Sequence, residues 1–158
     1  MIIRVSNSFT RPANTTAYGA ADVIGPATGS GLLEFTVPKR AIAIRGAFVE
    51  SSSTLTDSVG IYIVTSSTYN PGVDNAAFTA PGFSDGVVTV LVAPAALYGV
   101  VGTVVNSDSG GNAFASAAPV TLQDTKVYAA LSTVSGFTPA SGQQFRAHLF
   151  VEVSDVQY

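Results

Sequence analysis

The chain has 158 residues, enough for one domain that buries roughly two-thirds of its unfolded surface and needs neither a disulfide nor a metal to be stable. It contains no Cys and a single His, His148, which excludes zinc–cysteine sites, thiol nucleophiles and thiol redox chemistry together. A net charge of −3 without a basic stripe argues against nucleic-acid binding.

Charged residues make up only 11% of the chain, against roughly 25% in an ordinary domain. Gly, Ser, Thr, Ala and Val dominate, which is a strand-and-turn composition rather than a helical one. A surface so poor in charge is either the Ser/Thr surface of a sandwich or one covered by neighbours in an assembly.

Residues 1–25 read as an extended arm that includes a first strand. Pro12 fixes φ and cannot donate to a ladder, and no apolar run of a secretory signal follows Met1. Period-2 alternation then marks the strands. Leu33, Phe35 and Val37 share a face opposite Glu34 and Thr36. Ile42, Ile44 and Phe48 share one opposite Arg45, and Val59, Ile61 and Ile63 alternate with Gly60 and Tyr62. Val88, Val90 and Val92 follow, then Val127, Ala129 and Leu131. The last strand sets Phe145, Ala147, Leu149, Val151 and Val153 against Arg146, His148 and Glu152.

Turn clusters at 28–31, 50–58, 69–72, 84–86, 106–112 and 138–142 separate these strands, and Asn75–Phe78 reads as a short helical turn. The uncharged stretch 87–105 contains Pro94, Gly99 and Gly102 and lacks flanking anchors. It fits two buried strands joined by a Pro-Ala-Ala turn better than a membrane span. No repeat or linker divides the chain, so residues 1–158 are expected to form a single domain. The expected fold is an all-β, two-sheet antiparallel sandwich, jelly-roll-like, with an extended N-terminal arm. Strand spacing alone leaves an immunoglobulin-like Greek key open, although its Cys–Trp–Cys hallmark is missing.

Motifs that carry chemistry are weak. Ser107-Asp108-Ser109-Gly110-Gly111 echoes a serine-protease nucleophile loop, but Ser107 replaces the first Gly and His148 lies in a strand downstream. The segment reads as a turn. The carboxylates are scattered singly, and no loop has the alternating Asp/Asn ligands of a calcium site. Gly29-Ser30-Gly31 lacks phosphate-loop spacing, and Asn14-Thr15-Thr16 matches a glycosylation acceptor only by its three residues. The expectation is no enzyme, no cofactor and no metal. Lys39, Arg40 and Arg45 form the basic cluster of the chain, which by itself describes a solvated strand edge.

Three ordered segments resemble a family of small structural proteins of tailed bacteriophages. The first is Thr10-Arg11-Pro12-Ala13-Asn14-Thr15-Thr16-Ala17-Tyr18, continuing to Gly25, with Ala21 where the family pattern carries Gly. The second runs from Ile44-Arg45-Gly46-Ala47-Phe48 through Ile61-Tyr62-Ile63-Val64 to Asp74-Asn75-Ala76-Ala77-Phe78. The third is Val127-Tyr128-Ala129-Ala130-Leu131, then Phe137-Thr138-Pro139-Ala140-Ser141 and the final strand.

The resemblance implies a β-sandwich virion protein, of the kind described as head decoration (cement) proteins. Such a protein is made in the host cytoplasm. It binds the major capsid protein on the outer head surface as a homotrimer, with no nucleic acid or membrane as partner. The arm suits that role: Arg11 supplies a forked donor and Tyr18 a large face with a polar tip. Arg11, Pro12, Tyr18, Lys39, Arg40 and Arg45 are therefore the candidate assembly-interface residues. The alternative is a tail- or fibre-associated protein binding a host glycan, for which Tyr62, Tyr69, Tyr98 and Asp74 are the candidates.

Overall fold

A computed structural model describes residues 1–39, 41–55, 57–93, 105–106, 118–119 and 125–154. Its strands are β1 (Ile2–Thr10), β2 (Val23–Ile24), β3 (Leu33–Thr36), β4 (Ala41–Ser51), β5 (Val59–Val64), β6 (Val87–Ala93), β7 (Val105–Asn106), β8 (Ala118–Pro119), β9 (Lys126–Thr133) and β10 (Gln144–Val153). One sheet runs β1-β10-β4-β7 with β8 also on β4; the other runs β2-β9-β5-β6 with β3 also on β9. Every pairing is antiparallel.

Strands β2 and β3 lie end to end on β9, with Ile24 opposite Leu131 and Leu33 opposite Ala129. They are two halves of one strand interrupted by an inserted loop, and β7 and β8 share β4 in the same way. Counted so, the first strand pairs with the last, the second with the next to last, and each later pair nests inside the one before. That is the jelly-roll order. It excludes the immunoglobulin-like alternative, in which the first two strands pair.

The core fills the space between the sheets. Phe35, Ile61, Ile63, Val127, Ala129 and Leu131 come from one sheet, and Ile44, Ala47, Val49, Phe145, Ala147, Leu149 and Val151 from the other. The alternation expected of β3, β5, β9 and β10 is what places these residues, since successive side chains leave opposite faces of a pleated strand. Strand β4 departs from it. Its register against β10 shifts between Phe150 and Val151 and again between Glu152 and Val153, so β4 carries an extra residue at each point. The extra residue at Arg45 turns Ile44 inward while Phe48 faces outward, against the expectation that the two share a face. Of Ile42, Val88, Val90 and Val92 only the backbone is described. The expected Pro-Ala-Ala turn falls within 94–104, outside the described residues, and among the described residues no helix is long and apolar enough to cross a membrane.

The first strand expected within residues 1–25 is present, but it is a full member of the sheet rather than part of a free arm. Strand β1 pairs residue for residue with β10 from Ile2↔Glu152 to Thr10↔Gln144, without a register shift. Ile3, Val5 and Phe9 pack on the core, and Phe9 stacks on Phe145 at 5.6 Å. After Pro12 the chain crosses to the second sheet, whose outer face the 69–78 loop covers. There Tyr69 and Phe78 pack with Val64, Tyr128 and Ala130, and the Tyr69 hydroxyl donates to the Thr79 carbonyl at 2.5 Å.

Two non-glycine residues, one in this crossing and one in the 69–78 loop, have left-handed backbone. Asn75 has φ 60°, so the expected helical turn at Asn75–Phe78 is a left-handed bend, one that Asn tolerates. Ala21 has φ 57°, at the position where the family pattern carries Gly. An L side chain there costs roughly 1–2 kcal/mol, although the Phe78 amide holds the turn by donating to the Ala21 carbonyl at 2.8 Å. Ala21→Gly is therefore expected to raise the unfolding free energy by about 1 kcal/mol. A higher urea midpoint at unchanged slope would show it; a lower midpoint would contradict it.

Candidate functional site

Arg11 follows β1 in the same alternation as Ile3, Val5 and Phe9, so its side chain enters the end of the sandwich. It is 1% exposed. A buried guanidinium requires partners for all its donors, and here it has them. Nε donates to the Tyr18 hydroxyl at 3.0 Å. Nη1 donates to the carbonyls of Asn14 at 2.5 Å and of Pro12 and Ala140 at 3.3 Å. Nη2 reaches the Asn14 side-chain oxygen at 3.1 Å and Asp74 Oδ2 at 3.4 Å.

Tyr18, 4% exposed, closes the ring by donating to Asp74 Oδ1 at 2.5 Å, and the Gly25 amide donates to the same oxygen at 3.0 Å. Burial, with the Asp74 carboxylate accepting its proton, pushes the Tyr18 phenol well above its ordinary range. The Tyr18 ring also packs on Phe137 at 5.1 Å. The cluster thus ties the crossing segment to the 74 loop and the 137–140 turn.

A second buried carboxylate anchors the turn after β9. Asp57 accepts from the amides of Val134, Ser135 and Gly136, each at 2.9 Å, and from the Ser135 hydroxyl at 2.6 Å. Burial raises its pKa, but the Ser135 hydroxyl and the three amides outweigh burial and hold it below the ordinary value.

The outer face of the first sheet is polar and aromatic. His148 shares hydrogen bonds with Ser6 Oγ at 2.6 Å through Nδ1 and with Glu50 Oε2 at 2.9 Å through Nε2. It is stacked on Phe48 at 4.1 Å and is only 3% exposed. This relay ties β1, β10 and β4 together across the sheet. Beside it lies a groove of about 410 Å³ lined by Ser8, Thr10, Glu50, Ser52, Gln144 and Arg146, among others.

Among the described residues, the most exposed large apolar group lies elsewhere. Phe83, at 105% relative exposure, stands on a single 3-10 turn (Phe83–Asp85) ahead of β6. That turn is braced: the Gly82 amide donates to Asp85 Oδ2 at 2.7 Å, and the Thr65 and Ser66 amides donate to the Gly86 and Asp85 carbonyls at 3.0 and 3.2 Å. Gly86 has φ 63° and accepts the left-handed turn.

The expected interface set is thus dispersed. Arg11 and Tyr18 are engaged inside the chain's own sandwich, a correction to their reading as reaching side chains; Arg11 is buried because it continues the inward alternation of β1. Pro12 is partly buried and Lys39 is exposed. Arg45 lies in the first bulge of β4 and pairs with Glu152 at 2.5 Å. Arg40, Tyr98 and the Ser107–Gly111 segment lie outside the described residues. Of the glycan candidates, Tyr69 is buried, Tyr62 packs on Phe78 at 4.4 Å and Asp74 belongs to the Arg11 cluster.

The sequence reading holds Asp74 only as a glycan candidate, not as the partner of Arg11, and does not single out Phe83. Asp74 lies 63 positions from Arg11, a pairing without local signature. Phe83 did have one, an aromatic residue inside the turn string Pro81-Gly82-Phe83-Ser84-Asp85-Gly86. The chain matches no protein-family model and no curated protein. Fold and site define a charge-poor jelly-roll sandwich that, among the described residues, presents the Phe83 aromatic on its surface.

Proposed function

We propose that this chain is a structural subunit of a tailed-bacteriophage particle: a capsid decoration protein that binds the outer head surface as a homotrimer, across the joints between major capsid protein subunits. Three ordered segments support the phage reading by their resemblance. The observation that carries a binding role is Phe83, a fully exposed aromatic on a braced turn. Large aromatic groups held out rigidly are the usual anchors of protein interfaces, because they desolvate much apolar area at little entropic cost. Binding across joints adds its free energy to the shell by linkage, so the role requires no catalytic step and no cofactor.

The test is titration of expanded capsids with the wild-type chain and with Phe83→Ala. The wild type is expected to bind and to raise the temperature of capsid disruption. Phe83→Ala should bind at least about tenfold more weakly while its own unfolding free energy stays within about 0.5 kcal/mol, since an exposed ring contributes little to the fold. A wild-type chain without capsid affinity overturns the decoration role, and equal binding by Phe83→Ala overturns the role of the aromatic.

The groove on the first sheet favours a second reading, a tail- or fibre-associated protein that binds a host glycan. Its lining offers hydroxyl, amide, carboxylate and guanidinium groups suited to a sugar, in a volume suited to a small ligand. Glycan-array binding without capsid affinity would select this reading.

A further inference from the structure

We propose that the open edge of β1 pairs antiparallel with β1 of a second copy of this chain, about a two-fold axis through Ser6. The proposal goes beyond capsid binding and rests on the hydrogen-bonding parity of the strand.

Met1 and Val153 exchange backbone hydrogen bonds, and at the far end the Arg11 amide donates to Gln143. Odd-numbered residues of β1 therefore face β10, and the amides and carbonyls of Ile2, Arg4, Ser6 and Ser8 face away from it. Among the described residues β1 pairs with β10 alone. Of the outward groups at its far end, the Thr10 carbonyl accepts from the Ala27 amide at 3.0 Å.

Natural sheets blunt such an edge with proline, bulges, shortness or several charges. β1 has nine residues, no proline and no register shift, and its one charged side chain is Arg4. Its inward residues Ile3, Val5 and Phe9 are packed on the core but only partly buried. On the same inner side the Asn7 side-chain amide donates to the Glu34 carbonyl of β3 at 2.8 Å. What covers a row of unpaired amides and carbonyls beside half-buried apolar groups is another β-strand.

The strand is self-complementary. Outward residues must meet outward residues, so the axis must pass through a residue rather than between two. The axis through Ser6 overlaps Ile3–Phe9, short of Thr10, whose carbonyl already holds the Ala27 amide. It sets Ile3 against Phe9 and Val5 against Asn7 on the core side, and Arg4 against Ser8 and Ser6 against Ser6 on the outer face. An axis through Arg4 would instead oppose two like charges. The Ser6 register forms about six new hydrogen bonds and closes at two copies. It would therefore join one decoration ring to the next rather than build the three-fold ring.

Sedimentation equilibrium of the full chain tests this. The proline in Ser8→Pro removes an outward amide that the β10 ladder does not use, and edge strands tolerate it. The mass of the wild-type species is expected to halve in this variant, with the melting transition retained. Two side-chain variants carry the test should Ser8→Pro fail to fold. Ser8→Lys, opposite Arg4 of the second copy, should weaken association roughly three- to tenfold, and Ser8→Glu should tighten it by a similar factor. Because the chain has no cysteine, Ser6→Cys should form a disulfide-linked dimer on oxidation. Ser8→Cys should not, its two copies being offset by roughly 13 Å. A mass that Ser8→Pro leaves unchanged, or no Ser6→Cys cross-link, overturns the pairing. A monomeric wild type whose capsid binding is lost in Ser8→Pro also overturns it, and assigns the edge to a capsid-protein strand.

Discussion

Replacing Arg11 with alanine is expected to lower the unfolding free energy by about 3–5 kcal/mol, because breaking one side of a buried ion pair strands the other. Asp74 would keep its bonds from Tyr18 and Gly25 but lose its counter-charge, and three carbonyls and the Asn14 side chain would lose a donor. For a chain of this size each kcal/mol corresponds to roughly 2–4 °C, so the melting temperature should fall by roughly 6–20 °C. A double-mutant cycle with Asp74→Asn should return a coupling of about 1–3 kcal/mol, since the residues share one hydrogen-bonded network. A loss below about 1 kcal/mol for Arg11→Ala would show that the guanidinium is not held as described.

Deleting residues 1–20 should abolish cooperative folding altogether. The deletion removes β1 from the whole length of β10, together with Ile3, Val5, Phe9, Arg11 and Tyr18. It bares the Phe145 ring and leaves Asp74 without either of its side-chain partners. In a jelly roll the first strand pairs with the last, so its loss opens the outermost nested pair. Circular dichroism should show no sigmoidal melt, and the amide NMR spectrum should lose its dispersion. A well-folded truncation would restore the reading of this segment as an arm that serves only a neighbour.

The difference between arm and strand shows where the sequence was legible. Strands β3, β5, β9 and β10 could be read because their inward positions are uninterrupted runs of Leu, Val, Ile, Ala and Phe at period two. The same alternation exists in β1 as Ile3, Val5 and Phe9. Pro12, which fixes φ and cannot donate to a ladder, weights the segment toward an arm. In strand β4 the alternation puts Phe48 in the wrong phase, because nothing local announces the bulge at Arg45. Arg11 and Tyr18 were found but pointed the wrong way. Arginine is usually exposed, and the carboxylate that makes its burial possible lies on a distant loop. Lys39 and Arg45 were found as charges, yet only the fold shows that Arg45 already has Glu152.

The left-handed Ala21 is a case of local and tertiary preferences in conflict. The crossing between sheets needs a sharp turn at that point, and the Phe78 amide fixes it from the 74–78 loop. The backbone conformation is imposed by tertiary contacts rather than chosen by the residue, which is why glycine is expected to fit better.

The central claim is that this jelly roll works as a binding subunit on a phage head. A cryo-electron microscopy reconstruction of the particle that carries it tests the claim most directly. The decoration reading predicts its two-sheet density on the outer head surface, at the joints between capsid subunits, with the Phe83 turn against the shell. Density for the chain on the tail or its fibres, with none on the head, would contradict it.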